Sequence, residues 1–237
     1  MKIRILGTRG EIGSSAPWHS RRSGILVDGS ILLDIGEEEY LDAEPDAAVI
    51  THLHPDHAFF ARDGVDFEGE IDFPVYAPGE YEGDVVVRKL PDRLKIGKYE
   101  IRAIPAHHSL KVESRALVID DGKSRICYTG DMIWIDKKHH GLLEDLDLVI
   151  TEGSFYRRKG MVRRDRDTGR IYGHNGIPDL VRLFSRFTSH IRLVHFGSWF
   201  YRDISSARGK IRDLGHEYGV DVRATRDGEE IALEDLE

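Results

Sequence analysis

The sequence predicts a mixed α/β protein, and three observations carry that expectation. Short apolar runs bounded by turn residues recur through the first half of the chain, as strands do. Amphipathic helical segments come only in the last third. No internal repeat or low-complexity linker interrupts the 237 residues, so residues 1–237 read as one domain. A chain of this length buries a sizeable core without covalent staples.

Taken in order, Lys2 to Leu6 alternates polar and apolar residues, the pattern of a half-buried strand. Gly7-Thr8-Arg9-Gly10-Glu11-Ile12-Gly13 follows and reads as a structural turn, because no phosphate-cradling lysine comes after it. Arg21-Arg22 reads as a solvated edge. Ser23 to Asp28 and Ile31 to Ile35 form a hairpin across Asp28-Gly29-Ser30, and Ala47 to Thr51 is a short buried strand. Residues 58–70 are mixed and acidic, broken by Gly64 and Gly69. Ile71 to Ala77, Val85 to Leu90 and Lys95 to Pro105 read as three further strands. Arg115 to Asp120, Ser124 to Thr129 and Leu146 to Thr151 continue the series. Pro178 suits the first turn of a helix reaching Phe187, with Leu180, Val181, Leu183 and Phe184 on its apolar side. Arg192 to Gly197 is a strand and Ile204 to Glu217 a helix. Val220 to Thr225 and Glu230 to Leu233 close the chain as strands.

Composition narrows the class. Apolar residues make up 40% and charged residues 32%, as in a soluble globule with a heavily charged surface. A net charge of −8 argues against a coat for nucleic acid. Charge is uneven, however: Phe155 to Arg170 holds seven basic residues against two acids. That segment reads either as a solvated mobile loop or as a lid attracting an anionic substrate. No apolar run approaches the roughly 18 residues of a membrane span, and the N-terminus lacks the apolar core of a signal peptide. The single Cys127 reads as a buried thiol in a reducing compartment, so a cytoplasmic protein with no membrane partner is expected.

The chemistry concentrates in Thr51-His52-Leu53-His54-Pro55-Asp56-His57, where four metal-ligating side chains fall within six residues. His52 and His54 are two apart, so an extended segment points both imidazoles the same way. Pro55 breaks that run and lets Asp56 and His57 turn toward a second, adjacent point. Imidazole and carboxylate are ligands that zinc and similar divalent ions accept.

H-x-H-x-D-H after a buried strand resembles the signature of the metallo-β-lactamase superfamily. The resemblance implies a four-layer αββα sandwich with a two-metal site along one edge. In Pro105-Ala106-His107-His108-Ser109, the family's H-S spacing selects His108 over His107 as the next ligand. Gly130-Asp131 stands in the chain order where the family places the carboxylate that bridges both metals. From Glu152 onward the order is Glu, His174, helix, strand, His195-Phe196, which is similar to ribonuclease Z and the related cyclic-phosphate phosphodiesterases. This resemblance runs from Gly7 to His195.

By that resemblance His52, His54 and His108 hold one metal, Asp56, His57 and His195 the other, and Asp131 bridges them. The ions expected are two divalent ions, zinc first, with manganese or iron as alternatives. With ions about 3.5–4 Å apart, a bridging hydroxide attacks phosphorus in line. Glu152 and His174 steady the phosphoryl oxygens and protonate the leaving oxygen, and Asp56 joins them as a catalytic residue.

Two departures bear on the substrate. His108 and Asp131 are only 23 residues apart, which leaves no room for the long arm with which ribonuclease Z grips transfer RNA. Gly130-Asp131-Met132 and His195-Phe196-Gly197 also replace the usual G-D-T and H-F-S. The expected substrate is therefore a small or nucleotide-type phosphodiester. A thioester or lactone hydrolase, an RNA-processing nuclease and a metal-binding protein without catalysis are the alternatives. Partners follow from this: an anionic small-molecule or nucleotide/RNA substrate, with a homodimer left open.

Overall fold

Alternation builds the first strand. In Lys2–Gly7, Lys2 and Arg4 face solvent while Ile3 and Ile5 are buried. In the computed structural model, which describes residues 1–236, the strands form two large sheets packed face to face. The first runs in the order Glu230–Ala232, Lys2–Gly7, Gly24–Val27, Ile31–Leu33, Ala47–Val49, Val75–Ala77, Val87–Lys89. The second runs Trp134–Ile135, Tyr99–His107, Arg115–Asp120, Arg125–Tyr128, Leu148–Gly153, His190–Phe196, Asp221–Ala224.

Ile3, Ile5, Val27, Leu33 and Val49 of the first sheet meet Ile101, Ile119, Ile126 and Ile150 of the second to form the central core. On the outer face of the second sheet, the helices Ile177–Phe184 and Ile204–Tyr218 bury Leu180, Phe184, Ile211 and Leu214 against Val149 and Leu193. The outer face of the first sheet is closed by Tyr40, Phe59 and Phe60. These sit on the 3₁₀ turns Glu38–Ala43 and Phe59–Ala61. Helix, sheet, sheet and a reduced helical layer give the αββα order. Gly64, Gly69 and the acidic residues between them leave no apolar periodicity for a longer helix on that side.

Two expectations need correction. Lys95 to Pro105 is not one strand: Arg93–Ile96 and Tyr99–His107 pair as a hairpin around Gly97-Lys98. Gly97 adopts φ +54°, a turn conformation that its missing Cβ makes inexpensive. Nor is the basic segment a plain loop, since Met161–Arg164 pairs antiparallel with Ile171–His174. Among the described residues, no helix is long and apolar enough to cross a membrane.

The helical layer over the second sheet gives a first prediction. Phe184→Ala should lower stability by about 3–5 kcal/mol, since it empties a fully buried ring from the helix–sheet interface. Urea unfolding measures it, and a loss below about 1 kcal/mol would contradict tight packing there.

Candidate metal centre

The centre lies where several strands end. Ala47–Val49 delivers Thr51 to His57, and one tight turn, with the His57 and Ala58 amides donating to His54 O at 3.0 and 2.9 Å, stacks the donors close together. Arg125–Tyr128 delivers Asp131 through Gly130, whose φ is +55° and whose Cα touches Thr51: a Cβ there would sit 2.5 Å from Thr51 Oγ1. Tyr99–His107 ends one residue before His108. Leu148–Gly153 and His190–Phe196 run parallel, with Glu152 opposite Val194 and Gly153 opposite Phe196. His195 is thus the extra residue of a bulge, at φ +53°, which turns its ring into the cluster.

Three groups of side chains result, all sharing Asp131: one around His52, His54 and His108, one around Asp56, His57 and His195, and a third that joins Glu152, His174 and His195. In the first, His54 Nδ1 lies 3.1 Å from His52 Nε2 and 3.2 Å from His108 Nε2. Asp131 Oδ2 is 3.8 Å from His52 Nε2 and 3.7 Å from His108 Nε2. In the second, His57 Nε2 is 3.8 Å from Asp56 Oδ2 and 3.5 Å from Asp131 Oδ1. The His195 ring spans two carboxylates, Nε2 at 2.8 Å from Asp56 Oδ2 and Nδ1 at 3.2 Å from Asp131 Oδ1. All seven side chains that the sequence singled out as ligands therefore meet. His107 does not join them: it is 44% exposed and pairs with Asp136 at 3.0 Å, whereas His108 is 4% exposed.

The donors fit divalent cations. Burial, then the charge of His108, lowers the His54 pKa to about 4, and burial followed by His57 and His108 holds His52 well below its usual range. With Nδ1 of His52 and His108 engaged by Thr51 Oγ1 and Gly173 O, their Nε2 lone pairs both face His54 Nδ1, an arrangement that a shared proton or a cation among them satisfies. Zinc binding imidazole at about 2.0–2.1 Å in a tetrahedron sets its nitrogens roughly 3.3 Å apart. Asp131 Oδ1 is buried with no aligned hydrogen-bond donor, another mark of a place for positive charge. In the second group burial opposes protonation of His57, but Asp131, Asp34 and Asp56 outweigh it and raise the His57 pKa well above the usual value. Both halves of the cluster attract cations.

A model of the beta-lactamase superfamily domain matches residues 36–196. The chain belongs to the beta-lactamase superfamily. Its fold is that of the metallo-β-lactamases. The metallo-beta-lactamase fold protein YhfI from Bacillus subtilis superposes with a TM-score of 0.71 at 20% identity, over 97% of this chain and 98% of that one. The short form of human tRNase Z gives 0.64 at 18% identity, over 98% and 99%. A diphosphatase from the PhnP family gives 0.65 at 14% identity, over 98% and 97%. At these identities the likeness is one of fold. No curated protein matches by sequence.

Members of this superfamily are metal-dependent hydrolases, and the surroundings of the centre suit one. Beside Asp131, His174 Nδ1 donates to Glu152 Oε2 at 2.8 Å, while Glu152 Oε1 accepts the Met132 amide at 2.7 Å. Both Glu152 oxygens thus accept protein donors, and Oε2 fixes the orientation of the His174 ring. Burial alone would lower the His174 pKa, but Glu152 and Asp131 raise it to about 9. A cavity of about 740 Å³ opens over the centre, lined by His54, Asp56, Asp131, His174 and His195 on one side. Phe155, Tyr156, Arg157, Met161 and Trp199 line the other. The glycine-rich turn does reach this site: Gly10 N donates to Phe196 O at 3.2 Å, and Gly10, Glu11 and Ile12 line the cavity.

One functional residue escaped the sequence reading. Asp34, fully buried at φ +60°, accepts His57 Nδ1, Tyr128 OH and the Thr51 amide, each at 2.7 Å. It fixes which His57 nitrogen faces the centre, the role that carboxylates commonly play behind ligand histidines. Its only sequence signal is an acid directly after the apolar run Ile31-Leu32-Leu33. Asp34→Ala strands four buried donors at once, the Thr51 hydroxyl included, and should cost about 3–5 kcal/mol in denaturant unfolding. A cost below about 1 kcal/mol would mean that other acceptors take over.

Proposed function

We propose that this superfamily member is a two-metal phosphodiesterase acting on a small or nucleotide-type phosphodiester. The observation that carries the reading is the Glu152–His174 pair at 2.8 Å, with His174 lining the cavity beside Asp131 and Glu152 buried behind it. Ester transfer at phosphorus needs a proton for the leaving alkoxide. His174, 19% exposed and held through Nδ1, offers its second ring nitrogen to the cavity. Thioester and lactone hydrolysis on the same scaffold does not need this pair, which is why the phosphodiester reading is preferred.

In this reading His52, His54, His108 and Asp131 hold one ion, and Asp56, His57, His195 and Asp131 the other. Zinc suits the nitrogen-rich set, with manganese or iron as substitutes. When bound, the ions supply Lewis acidity and an activated water nucleophile. The residues of the chain do the rest. Asp34, Thr51 and the Gly173 carbonyl receive the outer nitrogens of His57, His52 and His108, and so fix the direction of each ring. Asp56 completes the second set and sits on the cavity floor. Glu152 keeps His174 oriented and protonated. A cavity of about 740 Å³ is of the size that accepts a nucleotide-scale ester. The lone buried Cys127 supports a reducing, cytoplasmic setting.

The metal assignment is tested by elemental analysis of purified protein. About two ions per chain are expected, most of them lost in His54→Ala and Asp131→Ala. His108→Ala should empty one position, whereas His107→Ala should keep both. Full metal content in the Asp131 and His54 variants would contradict the ligand set.

The reaction class is tested through His174. His174→Ala should lower turnover of a phosphodiester with a poor leaving group by roughly 10²–10⁴-fold. Metal content should stay unchanged, and the loss should shrink for a nitrophenyl ester, whose leaving group needs little protonation. Equal losses on both esters would take the acid role away from His174. Thioester or lactone turnover without phosphodiester turnover would overturn the phosphodiesterase reading.

A further inference from the structure

The register of the basic hairpin decides which of its cations meets the cavity. In Met161–Arg164 paired with Ile171–His174, Met161 lies opposite His174 and Arg163 opposite Tyr172. Residues directly opposite share a face, and so do residues two apart on one strand. Met161, His174, Arg163 and Tyr172 therefore lie on one face, and Val162 and Arg164 on the other. Met161 and His174 both line the cavity. Arg163 thus stands on the cavity's own face, one rung further out, about 7 Å along the strand.

Arg164 carries the same charge but is turned away, and its guanidinium donates to Gly169 O at 2.6 Å. Closer to the centre, Arg157 lines the cavity, with Nε donating to Gly160 O at 2.9 Å. Among the described residues, neither Arg157 nor Arg163 has a carboxylate within ion-pair distance, whereas Arg158 pairs with Asp179 at 3.6 Å. The nearest acid in the turn, Asp165, is occupied by the Thr168 amide and hydroxyl at 2.7 and 2.6 Å. Two unpaired guanidinium groups thus run outward from the centre of a chain whose net charge is −8. A guanidinium fork matches a phosphate's oxygens.

We propose that Arg163 binds a second phosphate on the substrate, one sugar unit away from the phosphorus that reacts, with Arg157 flanking the path between them. The inference rests on the phosphodiesterase reading and names the substrate class: a nucleotide ester bearing phosphate on both sides of one sugar. Such a molecule spans the rung between the centre and Arg163; a lone diester does not.

Binding and turnover test it on the metal-loaded protein. Thymidine 3′,5′-bisphosphate should bind about tenfold tighter than thymidine 5′-monophosphate in calorimetry, the scale of one charge-assisted contact. Arg163→Gln should erase that preference and Arg164→Gln should keep it. Both variants change net charge equally, so a purely long-range attraction would move them alike. The p-nitrophenyl ester of thymidine 5′-phosphate, with and without a 3′-phosphate, should repeat the pattern in KM rather than kcat.

A third ester, with its 3′-phosphate linked onward to another nucleotide, separates two sources of the same group. Retained preference identifies a nucleic-acid strand, and lost preference a nucleoside bisphosphate. Equal affinity of the two thymidine phosphates, or parallel losses in both variants while ester turnover persists, overturns the Arg163 site and leaves the phosphodiesterase reading standing. Absence of turnover on every ester overturns that reading by itself.

Discussion

A single buried carboxylate sets the terms for the rest of the molecule. Asp131 presents Oδ2 to His52 and His108 and Oδ1 to His57 and His195, all within 3.2–3.8 Å. Burial would raise its pKa, yet the charges of His195 and His57 hold it well below the usual carboxylate range. An isolated carboxylate at this depth would cost several kcal/mol. The fold meets that cost by aiming positive and cation-binding groups at both oxygens from four separate segments of chain, through His52 and His57, His108, His174 and His195.

A second buried carboxylate, Asp34, ties the two sheets together at this edge. Asp34 belongs to the end of Ile31–Leu33 in the first sheet, and Tyr128 to Arg125–Tyr128 in the second, and the two are joined by a 2.7 Å hydrogen bond. His57 Nδ1 is held by the same oxygen, Asp34 Oδ2. A second joint lies across the site, where the Phe196 amide donates to Thr8 O at 2.7 Å. Core packing therefore positions the sheets, and these two polar joints align them at the edge where the chemistry is proposed.

How much of this could be read in advance follows from how local each signal is. His52, His54, Asp56 and His57 fall in one turn, so their convergence is written in seven consecutive letters. His108, Asp131 and His195 each follow an apolar strand, and the chain order of a known family was needed to tie them to the first four. Asp34 stayed hidden because an acid after a strand ordinarily means a turn, and only the folded chain reveals the four donors around it. The hairpin at Met161–Arg164 was missed for a different reason. Its strand carries Val162, Arg163 and Arg164 in exposed positions, so no period-2 pattern marks it. Gly97 likewise split one expected strand in two, since a lone glycine within a β pattern does not say whether the chain bends or turns back.

The spacing of the donors along the chain has a consequence for synthesis. His52 to His57 leave the ribosome long before Asp131, and His195 follows His57 by 138 residues. A nascent chain holding the first four side chains alone would bind a cation weakly and without order, because the second sheet that supplies the remaining donors does not yet exist. Tight capture must wait until Ala47–Val49 of the first sheet and His190–Phe196 of the second, more than a hundred residues apart in the chain, have packed together, so an ion of the wrong kind met early can still be exchanged. Maturation of the centre is thereby tied to the slowest, most non-local contacts of folding.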